Sequence, residues 1–269
     1  RQMCIRDRFS NLLRRFKLIF VADKLNYYVN QFKNNSKNKK FIQENPNVLL
    51  PPDYLIYESF HLDYYHYYNG GEKTAVWLSN KFSNFSNIEN FKILDWGCGP
   101  ARVVRHFPNI LPSAEIYATD YNPQSIEWNR ANIKNVNFNL NFLEADLPYE
   151  NNFFDVIYGI SIFTHLSEQK HYEWAKELTR ILKPGGILFL TFQGEAFKQR
   201  LSESEIKVFD KGKIVVRDKV KEGHRTFSAF HPDDFVVRLF KDLDVVEHNK
   251  SFLNNTALEQ DSWIFRKLE

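Results

Sequence analysis

The stretch ILDWGCGPAR, Ile93 to Arg102, limits the possible fold more than any other part of this chain. Ile93 and Leu94 read as the end of a strand covered on both faces, with Asp95 at its carboxyl edge. Gly97 and Gly99 let the backbone turn tightly and pass close to a ligand. A helical pattern through Val103, Val104 and Phe107 follows. Strand, glycine turn and helix in succession mark where open α/β sheets bind nucleotides. The dinucleotide fingerprint wants a third glycine where this chain has Arg102, which disfavours a nicotinamide oxidoreductase.

Around that unit the chain alternates in the manner of a doubly wound α/β sheet. Strands are expected at 92–96, 115–119, 137–143, 154–160 and 187–193, with helices after Pro100, Pro123 and Ser167. The helix from Ser167 to Leu182 should stop at Lys183-Pro184-Gly185-Gly186. His231-Pro232-Asp233-Asp234 opens a further helix, with Asp233 or Asp234 as its cap, and two strands near 243–248 and 262–266 follow.

Ahead of the core, residues 1–45 read as a helical extension and 46–90 as a cap that includes an aromatic region, Tyr54 to Tyr68. The extension carries a helix over 9–33, either packed on the domain with a solvated basic face or a membrane-surface or partner helix, followed by a polar loop, NNSKNKK, at 34–40. Met3 to Arg8 is similar to peptides translated from sequencing-adapter read-through, so residues 1–8 carry no functional weight. Residues 46–269 make the main domain, with 194–231 inserted after the fifth strand as a lid. Within the insertion, Ile206–Val208 and Ile214–Val216 around Asp210-Lys211-Gly212 predict a hairpin.

Composition removes several classes. A net charge of +3 over 269 residues gives no argument for a nucleic-acid partner. Two cysteines, Cys4 and Cys98, make no disulfide framework, so a reducing, cytoplasmic setting is expected. No apolar run approaches a membrane span, the start does not read as a signal peptide, and no His or Cys cluster has zinc spacing.

The acidic residue and Gly-x-Gly of Asp95 to Gly99 resemble motif I of the class I S-adenosylmethionine-dependent methyltransferases, with Ala101 at the usual third glycine. Asp120 ends the strand IYATD, where a carboxylate can accept from both ribose hydroxyls of an adenosyl group or can cap the next helix. Tyr121 and Asn122 lie on the same turn and join the cofactor contacts. In LEADLP, the resemblance gives Asp146 the adenine amino group and the Leu147 backbone the ring. NNFFDVIYGISIF resembles motif IV, which sets Ile160 to Phe163 against the methionine part of the cofactor. ELTRILKPGGILFLTF resembles the family's next motif, and Gln260 to Arg266 its last strand. The family implies a Rossmann-like three-layer sandwich with a seven-stranded, mostly parallel sheet whose last strand is antiparallel. It also implies S-adenosyl-L-methionine as cofactor, an enzyme that transfers methyl groups, and a small-molecule acceptor such as a sugar, glycan or natural-product intermediate.

Methyl transfer from a sulfonium is an in-line displacement that enclosure and alignment can accelerate, with a base needed only for an acceptor that must lose a proton. His165, just after the fourth strand, is the candidate base, or else a helix-start histidine bonded to backbone. His61, Tyr64, His66 and Tyr68 lie in the segment that could cover the site. Competing readings are an RNA or protein methyltransferase and a fold relative that serves as an interaction module. Asp95, Gly97, Gly99, Asp120 and Asp146 argue against the last. Acceptor atom and oligomeric state leave no mark in the sequence.

Overall fold

The computed structural model describes residues 19–60, 62–84, 91–251 and 258–268. His61, residues 1–8 and the first half of the helix expected over 9–33 lie outside them. The chain divides into two compact units, one of residues 20–142 and one holding residues 143–269.

The first unit starts with three helices, α1 (Ile19–Glu44), α2 (Asp53–Phe60) and α3 (Tyr64–Ser83). Strand β1 (Lys92–Trp96) leads through a 3-10 turn, Val104–His106, into the short α4 (Phe107–Ile110). Then come β2 (Glu115–Asp120), α5 (Pro123–Asn132) and β3 (Asn137–Leu140). The second unit holds β4 (Phe154–Gly159), a 3-10 turn at Phe163–His165, α6 (Glu168–Ile181) and β5 (Leu182–Phe192). The stretch after β5 contains α7 (Glu203–Phe209), β6 (Val215–Arg217) and β7 (Ser228–Phe230), and α8 (Asp233–Leu239), β8 (Leu243–Asn249) and β9 (Asp261–Lys267) follow.

Seven strands form one sheet in the order β3-β2-β1-β4-β5-β9-β8, flanked by helices, and β6 and β7 form a separate antiparallel pair. β1, β2 and β3 pair in parallel, as do β4 and β5, whereas β9 runs antiparallel to both β5 and β8. The central strands are buried on both faces, with Ile93, Leu94 and Trp96 of β1 and Ile187 to Leu190 of β5 inside, which is why they read as continuous apolar runs. Helix starts follow local chemistry. Asn122 accepts from the Gln124 and Ser125 amides with Pro123 at the first helical position, and Ser167 accepts from Lys170.

Several local expectations change. Residues 34–40 are not a loop but the middle of α1. Their asparagines pay for a poor helix propensity with tertiary bonds: Asn34 and Asn38 donate to the Leu62 carbonyl, and Asn38 Oδ1 accepts from the Tyr64 amide. The inner side of α1 therefore combines these polar bonds with packing by Tyr27 and Phe41. Val21, Leu25, Tyr28, Val29 and Phe32 are exposed on α1, whereas Arg14, Arg15 and Lys17, which carry the expected basic face, lie outside the described residues. Ile206–Val208 is helix, not strand, because Ser202 and Glu205 close a capping box ahead of it, and Val215 pairs instead with Phe230. β3 stops at Leu140, three residues short. α6 ends at Ile181, and Lys183-Pro184-Gly185-Gly186 forms an irregularity inside β5, where pairing jumps from Phe154–Leu182 to Val156–Ile187. Asp233 and Asp234 lie in the first turn of α8, whose cap position is Pro232, and there they favour the helix dipole.

Candidate functional site

In the first unit the site grows from the end of β1. Gly97 and Gly99 take φ values of +81° and +52°, and Ala101 takes +58°. The left-handed geometry at Ala101 explains why a glycine suits that place. The Gly97 and Cys98 amides both donate to the Thr119 carbonyl, at 2.8 and 2.9 Å, which ties the turn to β2. A Cβ built on Gly99 meets nothing within 4 Å, so conformation, not crowding, demands glycine there, and the space beside it is open.

Asp120 closes the turn. Its Oδ2 accepts from the Gly99 amide at 2.7 Å and its Oδ1 from the Asn122 amide at 2.8 Å. The group is buried, and burial raises its pKa against the pull of these backbone donors. The Tyr121 amide also donates to this carboxylate, so of the about four lone pairs on its two oxygens one acceptor position remains for a ligand. Helix capping falls to Asn122, not to Asp120. Asn122 also donates to Glu58 of α2. Tyr121 stands beside Asp120, Glu58 and Tyr54, and burial with these negative neighbours pushes its phenol to about 12. Asp95 is buried at the end of β1.

Two supports of this turn carried no sequence signal. Asn129 of α5 is fully buried and donates to the Gly99 carbonyl at 2.9 Å. Helix α3 packs on the turn: the Tyr67 hydroxyl donates to the Pro100 carbonyl at 2.5 Å, and a Cβ on Gly71 would fall 2.0 Å from the Arg102 carbonyl oxygen. Arg105 donates to Tyr67 and to the Leu49 carbonyl and covers the Tyr68 ring, so the aromatic segment is bound to the turn by backbone and side chain alike. His66 pairs instead with Asp63, and Tyr64 donates to Asp53.

In the second unit Asp146 is exposed and Leu147 buried. The Leu147 amide donates to Glu177 Oε1 at 2.7 Å, and the Leu147 carbonyl accepts from Tyr149 and Arg180. That backbone is held within the fold. Ile160 is half-buried after β4. Next to it Ser161, at φ +64°, begins a hydrogen-bonded ring that joins three strand ends. The Ser161 amide donates to Thr191 Oγ1 (2.8 Å), Thr191 Oγ1 donates to Gln260 Oε1 (2.6 Å), and Gln260 Nε2 donates to Ser161 Oγ (2.8 Å). Thr164 completes it by donating to the Ser161 carbonyl.

His165 sits in the turn after this ring. Its Nδ1 lies 3.0 Å from the Phe227 carbonyl, which can only accept, so Nδ1 carries the proton and Nε2 is the basic nitrogen. Burial, with His224 and Arg225 nearby, lowers its pKa. The Gly223 amide donates to the His165 carbonyl, and Glu222 accepts from the Ser167 amide, so residues 222–227 hold both ends of this turn. A buried pair lies behind it. His171 Nδ1 donates to the Ser167 carbonyl, so its Nε2 accepts from His231 Nε2, 2.8 Å away. Burial pushes His171 down to about 4 and His231 well below its usual value.

Comparison with known proteins agrees with this geometry. Residues 93–186 match the family model described as a methyltransferase domain. A malonyl-[acyl-carrier protein] O-methyltransferase of Bacillus anthracis is 32% identical over 166 residues, 60% of this chain and 56% of that protein. A crystal structure of a SAM-dependent methyltransferase from Methanosarcina mazei shares the fold at TM-score 0.55 and 16% identity, covering 69% of this chain and 96% of that one. A Pyrococcus horikoshii protein does so at TM-score 0.55 and 19% identity, covering 78% and 97%. The chain spans between 38% and 56% of the length of the curated relatives it matches. Among the described residues no helix is long and apolar enough to cross a membrane. Sheet order, glycine turn and family match converge: residues 93–186 carry a methyltransferase domain, set in a Rossmann-like sheet.

Proposed function

We propose that this protein is an S-adenosylmethionine-dependent methyltransferase that acts on an oxygen nucleophile of a small molecule. The observation that carries the cofactor half is the buried Asp120 carboxylate, locked over an open glycine turn with an acceptor position to spare. In this reading Asp120 takes a ribose hydroxyl, and Tyr121 and Asn122 line the same edge. Asp95, Gly97, Gly99 and Ala101 shape the turn under the methionine part, and the family resemblance assigns Ile160 to the cofactor contacts as well. Asp146 takes the adenine amino group. The Leu147 amide is engaged by Glu177, so Leu147 contributes an apolar wall and not a donor. When bound, S-adenosylmethionine supplies an electrophilic methyl group on a positively charged sulfur.

For the acceptor half, a neutral His165 with its proton fixed on Nδ1 presents Nε2 as a base for a hydroxyl or carboxyl. The O-methyltransferase name of the Bacillus anthracis relative supports an oxygen acceptor. The binding test is thermal unfolding with S-adenosylhomocysteine and, separately, with NAD. S-adenosylhomocysteine at about 100 times its dissociation constant adds roughly 2.7 kcal/mol, and NAD adds nothing. Asp120→Ala loses the response. A response to NAD alone overturns the reading. Once an acceptor is found, His165→Gln should lower kcat by about 100-fold or more at unchanged cofactor affinity. An unchanged kcat removes His165 from the chemistry.

A further inference from the structure

Three side chains far apart in the sequence meet where the last strand begins. Asp261 opens β9 opposite Phe192, His248 lies on β8, and Asp233 is the first residue of α8. One ligand-capable atom from each lies within 4.8 Å of the other two. Asp261 is 1% exposed. Its Oδ1 accepts from the Ser251 amide at 2.7 Å, whereas Oδ2 has no hydrogen bond. Oδ2 faces His248 Nε2 across 3.7 Å, and that nitrogen has no hydrogen bond either. A buried carboxylate oxygen left in this state loses its hydration without a hydrogen bond in return, which asks for a group between the two atoms. A metal ion fits the gap. Two ligand atoms, each about 2.1 Å from a tetrahedral ion, lie about 3.4 Å apart.

The surroundings prepare the same geometry. The His248 ring stacks on Trp263 with centroids 3.5 Å apart and planes 18° from parallel, which fixes the direction of Nε2. A Cβ on Gly194 would fall 1.9 Å from Asp261 Oδ2, so the glycine makes room for the carboxylate. Lys250 Nζ holds Asp233 Oδ2 at 2.5 Å, and its side chain is 49% exposed. A cation already stabilises this oxygen, on an arm that can swing into solvent when a divalent ion takes its place.

We propose that Asp233, His248 and Asp261 bind a divalent first-row transition ion, Zn2+ by the nature of the ligands. An imidazole nitrogen beside two carboxylates suits zinc, whereas magnesium and calcium take oxygen shells. The ion ties β8, β9 and α8 together and has a structural task separate from methyl transfer. The full chain, stripped with EDTA, is titrated calorimetrically with Zn2+ alone and with Mg2+ alone, and its thermal midpoint is followed. One equivalent of Zn2+ binds and raises the midpoint, and Mg2+ does neither. His248→Phe keeps the stack on Trp263, and Asp233→Asn alters a partly exposed residue, so both variants leave the core intact. Each weakens Zn2+ binding by at least about 30-fold, since even outer-sphere partners of a metal are worth ~10–100-fold. Absence of stoichiometric binding, equal affinity in both variants, or equal binding of Mg2+ overturns the proposal.

Discussion

The turn after β1 and the strand ends after β4 and β5 are both held in fixed geometry, by different means. The first is made of backbone. Positive φ angles at Gly97, Gly99 and Ala101 and amide donors into Thr119 and Asp120 set its shape within about 30 residues of chain. The second is made of side chains. Ser161, Thr191 and Gln260 close a ring across a separation of 99 residues, and His165 is oriented by Phe227, 62 residues away. Backbone sites need particular residues at particular spacings. Side-chain networks need only partners that meet in space, so their members can lie far apart along the chain.

That contrast can be broken by experiment. The most direct test is Gly99→Ala. The new methyl enters open space, so stability drops by only about 1–2 kcal/mol for the left-handed backbone, while the affinity for S-adenosylhomocysteine falls by at least about 10-fold. Equal losses in both would show that the turn is structural alone. Acid comes next. His171 stays neutral in the folded chain with its pKa near 4 but returns to 6.5 on unfolding. Between these values the unfolded chain binds more protons, so stability falls as pH falls, by roughly 3 kcal/mol at pH 4 and nothing above about pH 7. Denaturant titrations across that range check it, and His171→Phe with His231→Leu should flatten the slope.

Two adjacent glycines of α3 give a sharper, smaller comparison. Gly71→Ala drives a methyl into the Arg102 carbonyl and costs about 2–3 kcal/mol, whereas Gly70→Ala meets nothing within 4 Å and stabilises by ~0.5–1 kcal/mol. Opposite signs in thermal unfolding are the expected outcome. Last, Thr191→Val leaves the Ser161 amide and Gln260 Oε1 without their partner, for about 1–2 kcal/mol, with cofactor affinity unchanged. A lost cofactor response in that variant would merge the two regions into one.

The same contrast explains what the sequence could reveal. Asp95, Gly97, Gly99 and Asp120 were legible because strand ends and glycine turns leave local patterns. Asn129, Glu177 and the Ser161 ring were not, since each acts on a partner that only the fold brings near. The asparagines of 34–40 misled for a related reason. Local propensity argues for a loop, and only the Leu62 carbonyl and Tyr64 amide reverse it. Ile206–Val208 is different, because the spacing of Ser202 and Glu205 did announce a helix start and was masked by a stronger glycine signal at Gly212. The meeting of Asp233, His248 and Asp261 left no sequence trace, for its members come from a helix and two strands.

The bond from His165 to Phe227 has an evolutionary cost. If a relative's loop replaced residues 222–227 to admit a new acceptor, the carbonyl that sets the imidazole tautomer would be exchanged with it. Under the proposed role of His165 as base, choice of acceptor and placement of the proton would be inherited as one module, and grafting the loop without its histidine turn should yield proteins that recognise a molecule they cannot deprotonate.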